Sequence, residues 1–136
     1  MHMEIRPFVE KDADRLVEIL QLNNQYDCPA VEGPAAMRRV AACQSAVFFV
    51  AEINGHPQGF IRAIYDGSRA MIHLLSVHPA VQHRGIGRRL VEAVEEELGQ
   101  RRAPSVSVTV TETSAAFWSK QGFRRLPVYL MLKSLP

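Results

Sequence analysis

Seven consecutive residues, Gln82-His83-Arg84-Gly85-Ile86-Gly87-Arg88, concentrate the chemistry of this chain. They join an apolar run ending at Val77 to a stretch of helical periodicity, and they contain two glycines and no acid before Glu92. A helix N-terminus already carries about half a positive charge, so His83, Arg84, Arg88 and Arg89 stand there at a cost of about 0.3 kcal/mol or more each when cationic. A bound anion reverses that sign, because the unpaired amides of the first turn, the dipole and the arginines then all face the same oxygens. Gly85 and Gly87 let the backbone approach closely and take positive φ. The segment reads as a cradle for a phosphate-bearing ligand. The plainer reading is a strand-to-helix turn whose glycines relieve crowding and whose arginines form a solvated face.

The surrounding elements follow from periodicity and turn signals. Residues 4–9 alternate weakly and precede Asp12-Ala13-Asp14, a capping signature before Leu16, Val17, Ile19 and Leu20 at helical spacing. A loop rich in turn formers follows from Asn23, and Pro34 can open a short second helix. Residues 47–53 and 59–65 are strand-like and joined by Asn54-Gly55-His56-Pro57, a hairpin signal, and Asp66-Gly67 turns the chain into a third strand at 71–77. Ile86, Leu90, Val94 and Leu98 then mark an amphipathic helix ended by Gly99. Residues 105–111 alternate Val106, Val108 and Val110 against Ser and Thr, and a strand there is parallel to 71–77 through a right-handed crossover. A short helix at 115–120 and a last strand at 128–132 complete the chain.

The spacing Gln82-x-x-Gly85-x-Gly87 between strand and helix resembles the pyrophosphate-binding motif of the GNAT superfamily of N-acetyltransferases, and Phe117-Trp118-Ser119-Lys120-Gln121-Gly122-Phe123 resembles its C-terminal motif. The resemblance runs over most of the chain. It implies an α+β, single-domain GNAT-like fold: a mixed, mostly antiparallel sheet of about six or seven strands flanked by helices, with a parallel splayed strand pair forming an acyl-CoA cleft. It implies that the pantetheine arm runs along Leu75, Ser76 and Val77, with the pyrophosphate on Gln82, His83, Arg84, Gly85, Ile86, Gly87 and Arg88. Thr111, Phe117, Trp118 and Lys120 are the further cofactor-binding candidates it points to. Leu75, Val77, Phe117 and Trp118 read equally well as core.

Two positions depart from the family pattern. Where many members place a catalytic glutamate stands Met71, which cannot take a proton; His73 lies two positions on, therefore on the same face of the strand, and its ordinary pKa of about 6.5 suits a base. The alternative for His73 is a half-buried histidine held by a hydrogen bond. Where many members place an acid tyrosine stands Trp118, whose indole donates a hydrogen bond but not a proton; Ser119, Tyr129 or water are the substitutes. By resemblance the acceptor pocket is shaped by the first two helices and their loop, where Tyr26, Asp27 and Glu32 offer a phenol and carboxylates to a cationic amine or to solvent.

Composition bounds the rest. The 136 residues fit one domain, 1–136, able to bury roughly two thirds of its unfolded surface. Sixteen Lys and Arg against fourteen Asp and Glu leave a net charge of +2, and the pairs Arg38-Arg39, Arg88-Arg89, Arg101-Arg102 and Arg124-Arg125 are scattered, so no nucleic-acid partner is expected. Cys28 and Cys43 form neither a disulfide framework nor a metal motif, no apolar run reaches membrane-spanning length, and the first residues carry no signal-peptide pattern. The expectation is a cytoplasmic protein, monomer or homodimer, without metal or membrane partner. Its expected activity is transfer of an acetyl group from acetyl-CoA to a primary amine, of a small molecule or of a peptide or protein, by direct attack in a ternary complex. The alternative is a catalytically weak or inactive acyl-CoA-binding sensor.

Overall fold

The computed structural model describes residues 2–136. Strand β1 (Met3–Pro7) leads through a short 3-10 turn into α1 (Ala13–Leu22), α2 (Pro29–Glu32) and α3 (Pro34–Ala41). A meander of β2 (Ala46–Ile53), β3 (His56–Tyr65) and β4 (Ala70–Val77) follows, then α4 (Ile86–Gln100), β5 (Ser107–Val108) and α5 (Ala115–Lys120). The strands form one sheet in the order β1-β2-β3-β4-β5, antiparallel except for the β4/β5 pair.

The sheet is covered on both faces, each by an apolar helix stripe. On one side α4 contributes Ile86, Leu90, Val91, Val94 and Leu98 against Val47, Ala51, Ile61 and Ile72. On the other, Leu16, Ile19 and Leu20 of α1 and Met37 of α3 close over Phe48, Val50 and Phe60. The β2/β3 hairpin turns where expected, since Asn54 and Gly55 both hold positive φ (49° and 84°) as a two-residue turn of that hand requires.

Three expectations are corrected. Helix α4 runs through Gly99 to Gln100, and Arg102 takes the left-handed conformation instead (φ 65°). Asp12 is not a side-chain cap of α1; its buried carboxylate accepts from Arg6 (2.8 and 2.9 Å) and from the Val9 amide (3.0 Å), locking the lead-in to β1. The sheet has five strands rather than six or seven. Only Ser107 and Val108 of the expected strand 105–111 pair, with Met71 and Ile72, and residues 128–132 form no strand. A strand exists only beside a neighbour that takes its backbone groups. Residues 128–132 meet none here, and Val128, Tyr129, Leu130, Met131 and Leu132 stand exposed.

Candidate active site

The cleft begins with an irregularity in β4. Arg62 pairs with Leu74 but Ala63 pairs with Ile72, so His73 is the extra residue of a β-bulge. Alternation along the strand changes phase there. Ile72 packs with the α4 side, Leu74 with the α1 side, and Leu75 and Val77 return to the α4 side. Simple two-residue alternation therefore does not carry from Ile72 to Leu74, and His73 stands at the point where the phase changes. The bulge also ends the parallel pairing: β5 meets β4 at Met71 and Ile72 and no further.

Beyond the bulge, the ladder fixes which backbone groups face the opening. The His78 amide donates to the Gln58 carbonyl, so antiparallel alternation turns Ser76 toward β3 and Leu75 and Val77 toward the edge that β5 does not reach. Their carbonyls are already occupied. Gln25 Nε2 donates to Leu75 O (3.2 Å), and Asn23 Nδ2 (2.8 Å) and Gln82 Nε2 (2.9 Å) both donate to Val77 O. Ser76, itself buried, donates to Gln25 Oε1 (2.6 Å) and accepts from Asn23 Nδ2 (2.8 Å), and Gln82 Nε2 also reaches Asn23 Oδ1 (3.1 Å). What the edge offers is therefore its amide donors. Gln82, counted among the phosphate-loop residues, spends its side chain on this network.

The turn from β4 into α4 has the geometry that its composition implied. His83 and Gly85 take positive φ (63° and 84°), and Gly85 stands at the N-cap of α4, where it supplies no side-chain cap. The first turn of α4 holds no acid. Arg84 and Arg88 are exposed, and Arg88 pairs with Glu92 one turn on (3.1 Å). The two glycines have different reasons. A side chain at Gly85 would have room, with Arg88 the nearest at 3.8 Å, but would strain the backbone; one at Gly87 would sit 3.2 Å from the ring of Phe117. Phe117 thus packs on the start of α4, and the two sequence motifs, distant along the chain, meet there.

The remaining candidates are spread more widely. Trp118 is buried, edge-on to both Phe117 (5.1 Å) and Phe123 (5.3 Å), and belongs to the α4-side core. Thr111 is exposed, its hydroxyl 3.1 Å from those of Thr113 and Ser114. Lys120 and Ser119 are exposed, as is Tyr129. On the α1 side, Glu32 accepts the Cys28 amide across α2 (2.8 Å), Asp27 is exposed, and Tyr26 packs against the α1-side core. Cys28 and Cys43 are free thiols, and among the described residues no group of three or more His, Cys, Asp or Glu is placed to hold a metal ion. No helix among them is long and apolar enough to cross a membrane.

Arg62 is a charged residue that the strand reading passed over. It is buried, its Nη1 donates to the Val31 carbonyl (3.3 Å), its guanidinium lies 5.9 Å from the centre of the Phe48 ring, and its Nε has no partner. Burial lowers its pKa, against the pull of Glu32. Its charge reaches His73: crowding by protein first, and Arg62 second, hold the His73 imidazole below its ordinary pKa. The available signal was a lone arginine inside the apolar run Phe60-Ile61-Arg62-Ala63-Ile64. Asn23 and Gln25 carried no such signal, since turn-forming residues in a loop give no hint of a reach to β4.

A mixed sheet that opens between its parallel strands beside an uncapped, basic helix start defines a transferase of the N-acetyltransferase class. The chain belongs to the GNAT family of acetyltransferases: the family model described as an acetyltransferase (GNAT) domain matches residues 44–125. An acetyltransferase of Photorhabdus laumondii is 31% identical over 114 residues, covering 84% of this chain and 79% of that protein. Among solved structures, the PaiA N-acetyltransferase of Thermoplasma acidophilum in complex with coenzyme A superimposes with a TM-score of 0.83 at 17% identity, over 95% of this chain and 94% of that one. An aminoglycoside N-acetyltransferase in complex with CoA gives 0.80 at 16% identity, over 98% and 95%. At these identities the two structures bear on the fold alone.

Proposed function

We propose that this single domain transfers the acetyl group of acetyl-CoA to a primary amine by direct attack in a ternary complex. The observation that carries the reading is the corner at Gly85, where an uncapped α4 with no acid in its first turn lies beside the open β4 edge. Both features leave donors facing outward, which fits a cosubstrate whose phosphates and carbonyls are all acceptors. The pyrophosphate rests on the backbone of residues 82–88 with Arg84 and Arg88 at its rim. The pantetheine arm follows Leu75, Ser76 and Val77, bordered by Thr111, Phe117 and Lys120, while Trp118 supports Phe117 from the core. The complexes of the Thermoplasma and aminoglycoside enzymes with coenzyme A support coenzyme A as the carrier of the acetyl group.

In the transfer the amine nitrogen bonds to the thioester carbonyl carbon, the carbon–sulfur bond breaks, and the nitrogen loses a proton. His73 takes that proton, directly or through water; a depressed pKa keeps it neutral and receptive at neutral pH. The thiolate leaves without a dedicated acid, which its ordinary thiol pKa of about 8.5 permits. The aminoglycoside enzymes among the structural neighbours support a small-molecule amine as acceptor.

Thermal-shift titration with CoA is the test, followed by an amine panel read by thiol release. CoA should raise the melting temperature, and Gly85→Val should weaken CoA roughly ten- to a hundredfold, from the 1–3 kcal/mol that a strained backbone costs. No stabilisation at millimolar CoA sinks the proposal. Stabilisation without thiol release across the panel replaces it with the acyl-CoA sensor.

A further inference from the structure

Among the described residues, Arg62 Nε is the one buried side-chain nitrogen or oxygen without a hydrogen-bond partner. The residue is 8% exposed. Ile61 and Ala63 on either side of it face α4 and Phe60 faces α1, so strand alternation puts Arg62 on the α1 side, its guanidinium beside the Phe48 ring. It makes a single, long hydrogen bond, from Nη1 to the Val31 carbonyl at 3.3 Å. No carboxylate among the described residues forms an ion pair with it. Glu32, whose charge it feels, spends its own carboxylate on the Cys28 amide. A purely structural role fits this badly, since a buried cation without a partner costs stability that an apolar side chain of the same length would not.

What covers the guanidinium is slight. None of the four residues of α2 is buried, and every other hydrogen bond of residues 29–32 closes within residues 28–33. The Arg62 bond alone ties the α2 backbone to the sheet. A ligand oxygen can therefore replace the Val31 carbonyl without breaking another hydrogen bond of α2.

We propose that Arg62 reads a carboxylate on the acceptor, which makes the acceptor a small amino acid or a similar amine with a carboxylate a few bonds from its nitrogen. Planar, two-pronged pairing with a carboxylate is what a guanidinium does best. A single negative charge neutralises the buried cation, whereas a doubly charged phosphate would leave a net charge in the same place. The ligand must be short. Arg62 pairs with Leu74, and the extra residue His73 stands beside that pair on a strand about 4.8 Å away, so the carboxylate site and the proposed base are neighbours. The substrate class rests on the acyl-transfer reading; the carboxylate site does not.

The test begins without turnover. A panel of N-acetylated amino acids, each paired with its amide, is titrated into the full chain by calorimetry, with and without CoA. At least one acid should bind about tenfold or more tighter than its amide, and Arg62→Gln and Arg62→Met should each erase that difference. Without ligand, Arg62→Met should melt no lower than wild type, which a purely structural arginine does not allow. A wild type that favours no acid over its amide overturns the proposal, and so does a preference that survives in both variants. With acetyl-CoA and the free amino acids, the ratio of kcat/KM for an acid to that for its amide should fall about tenfold or more in Arg62→Gln, and an unmoved ratio overturns the substrate class. Thiol release from no amine at all sinks acyl transfer, while the calorimetry still decides the carboxylate site.

Discussion

Two charged corners of this protein are built on opposite principles. At the first, Arg6 and Asp12 form a two-pronged ion pair at 2.8 and 2.9 Å, Glu52 adds a contact to Arg6 at 3.3 Å, and the Val9 amide donates a third bond to the Asp12 carboxylate at 3.0 Å. At the second, residues 82–88 gather cations beside a helix N-terminus with no acid in its first turn; Arg88 is answered by Glu92 one turn on, and Arg84 is exposed. The first corner is closed by its own partners; the second leaves the first-turn amides of α4 without a side-chain cap, which is what the proposed phosphate site needs. Local charge therefore does not mark a site by itself. What marks it is charge the fold leaves unanswered.

The largest effect should come from breaking the complete corner. Asp12→Ala leaves Arg6 without its main partner and should cost about 3 kcal/mol of unfolding free energy by urea denaturation, without changing CoA affinity. Burial opposes ionisation of Asp12, but the Arg6 hydrogen bonds and the Val9 amide outweigh it and hold its pKa below the ordinary carboxylate value of about 3.9. That stabilisation is full above the unfolded pKa and is lost as pH falls through the folded one, so wild type should lose stability in acid where Asp12→Asn shows a flatter dependence.

Next comes the bulge. His73→Ala should lower kcat about a hundredfold, the ordinary contribution of a general base, and erase the acidic limb of the pH–rate profile. Arg62→Gln should move that limb to higher pH, because removing the neighbouring cation lets the imidazole hold its proton longer. An unchanged limb in both variants removes His73 as the base. The smallest effect belongs to the open corner's rim. Arg84→Ala should weaken CoA only a few-fold, more at low salt than at high, since an exposed charge acts through solvent. If that loss instead rivals Gly85→Val, side chains rather than backbone hold the phosphates.

Most of the fold was legible where the causes are local. Asn54-Gly55 dictates its hairpin within two residues, and the four-residue spacing of Ile86, Leu90, Val94 and Leu98 needs only one helix to be read. The turn at Gly85 was legible for the same reason, its glycine meeting a positive φ at the start of α4. What escaped depends on partners far along the chain. The bulge at His73 is a matter of register against Arg62 and Ala63, and Asn23 and Gln25 matter only because they reach Leu75, Ser76 and Val77. The strand expected at 128–132 was read from composition that is present, but pairing needs an edge, and composition does not supply one.

The extra residue in β4 works as a parity switch for everything after it. Removing one position there would exchange the two faces at the end of the strand, sending Leu75 and Val77 toward the α1 side, where Ser76 now meets Asn23 and Gln25, and Ser76 into the apolar face under α4. This stretch should therefore forgive many exchanges of one amino acid for another yet reject the loss of a single one. A change in residue count can be graver here than a change in residue kind.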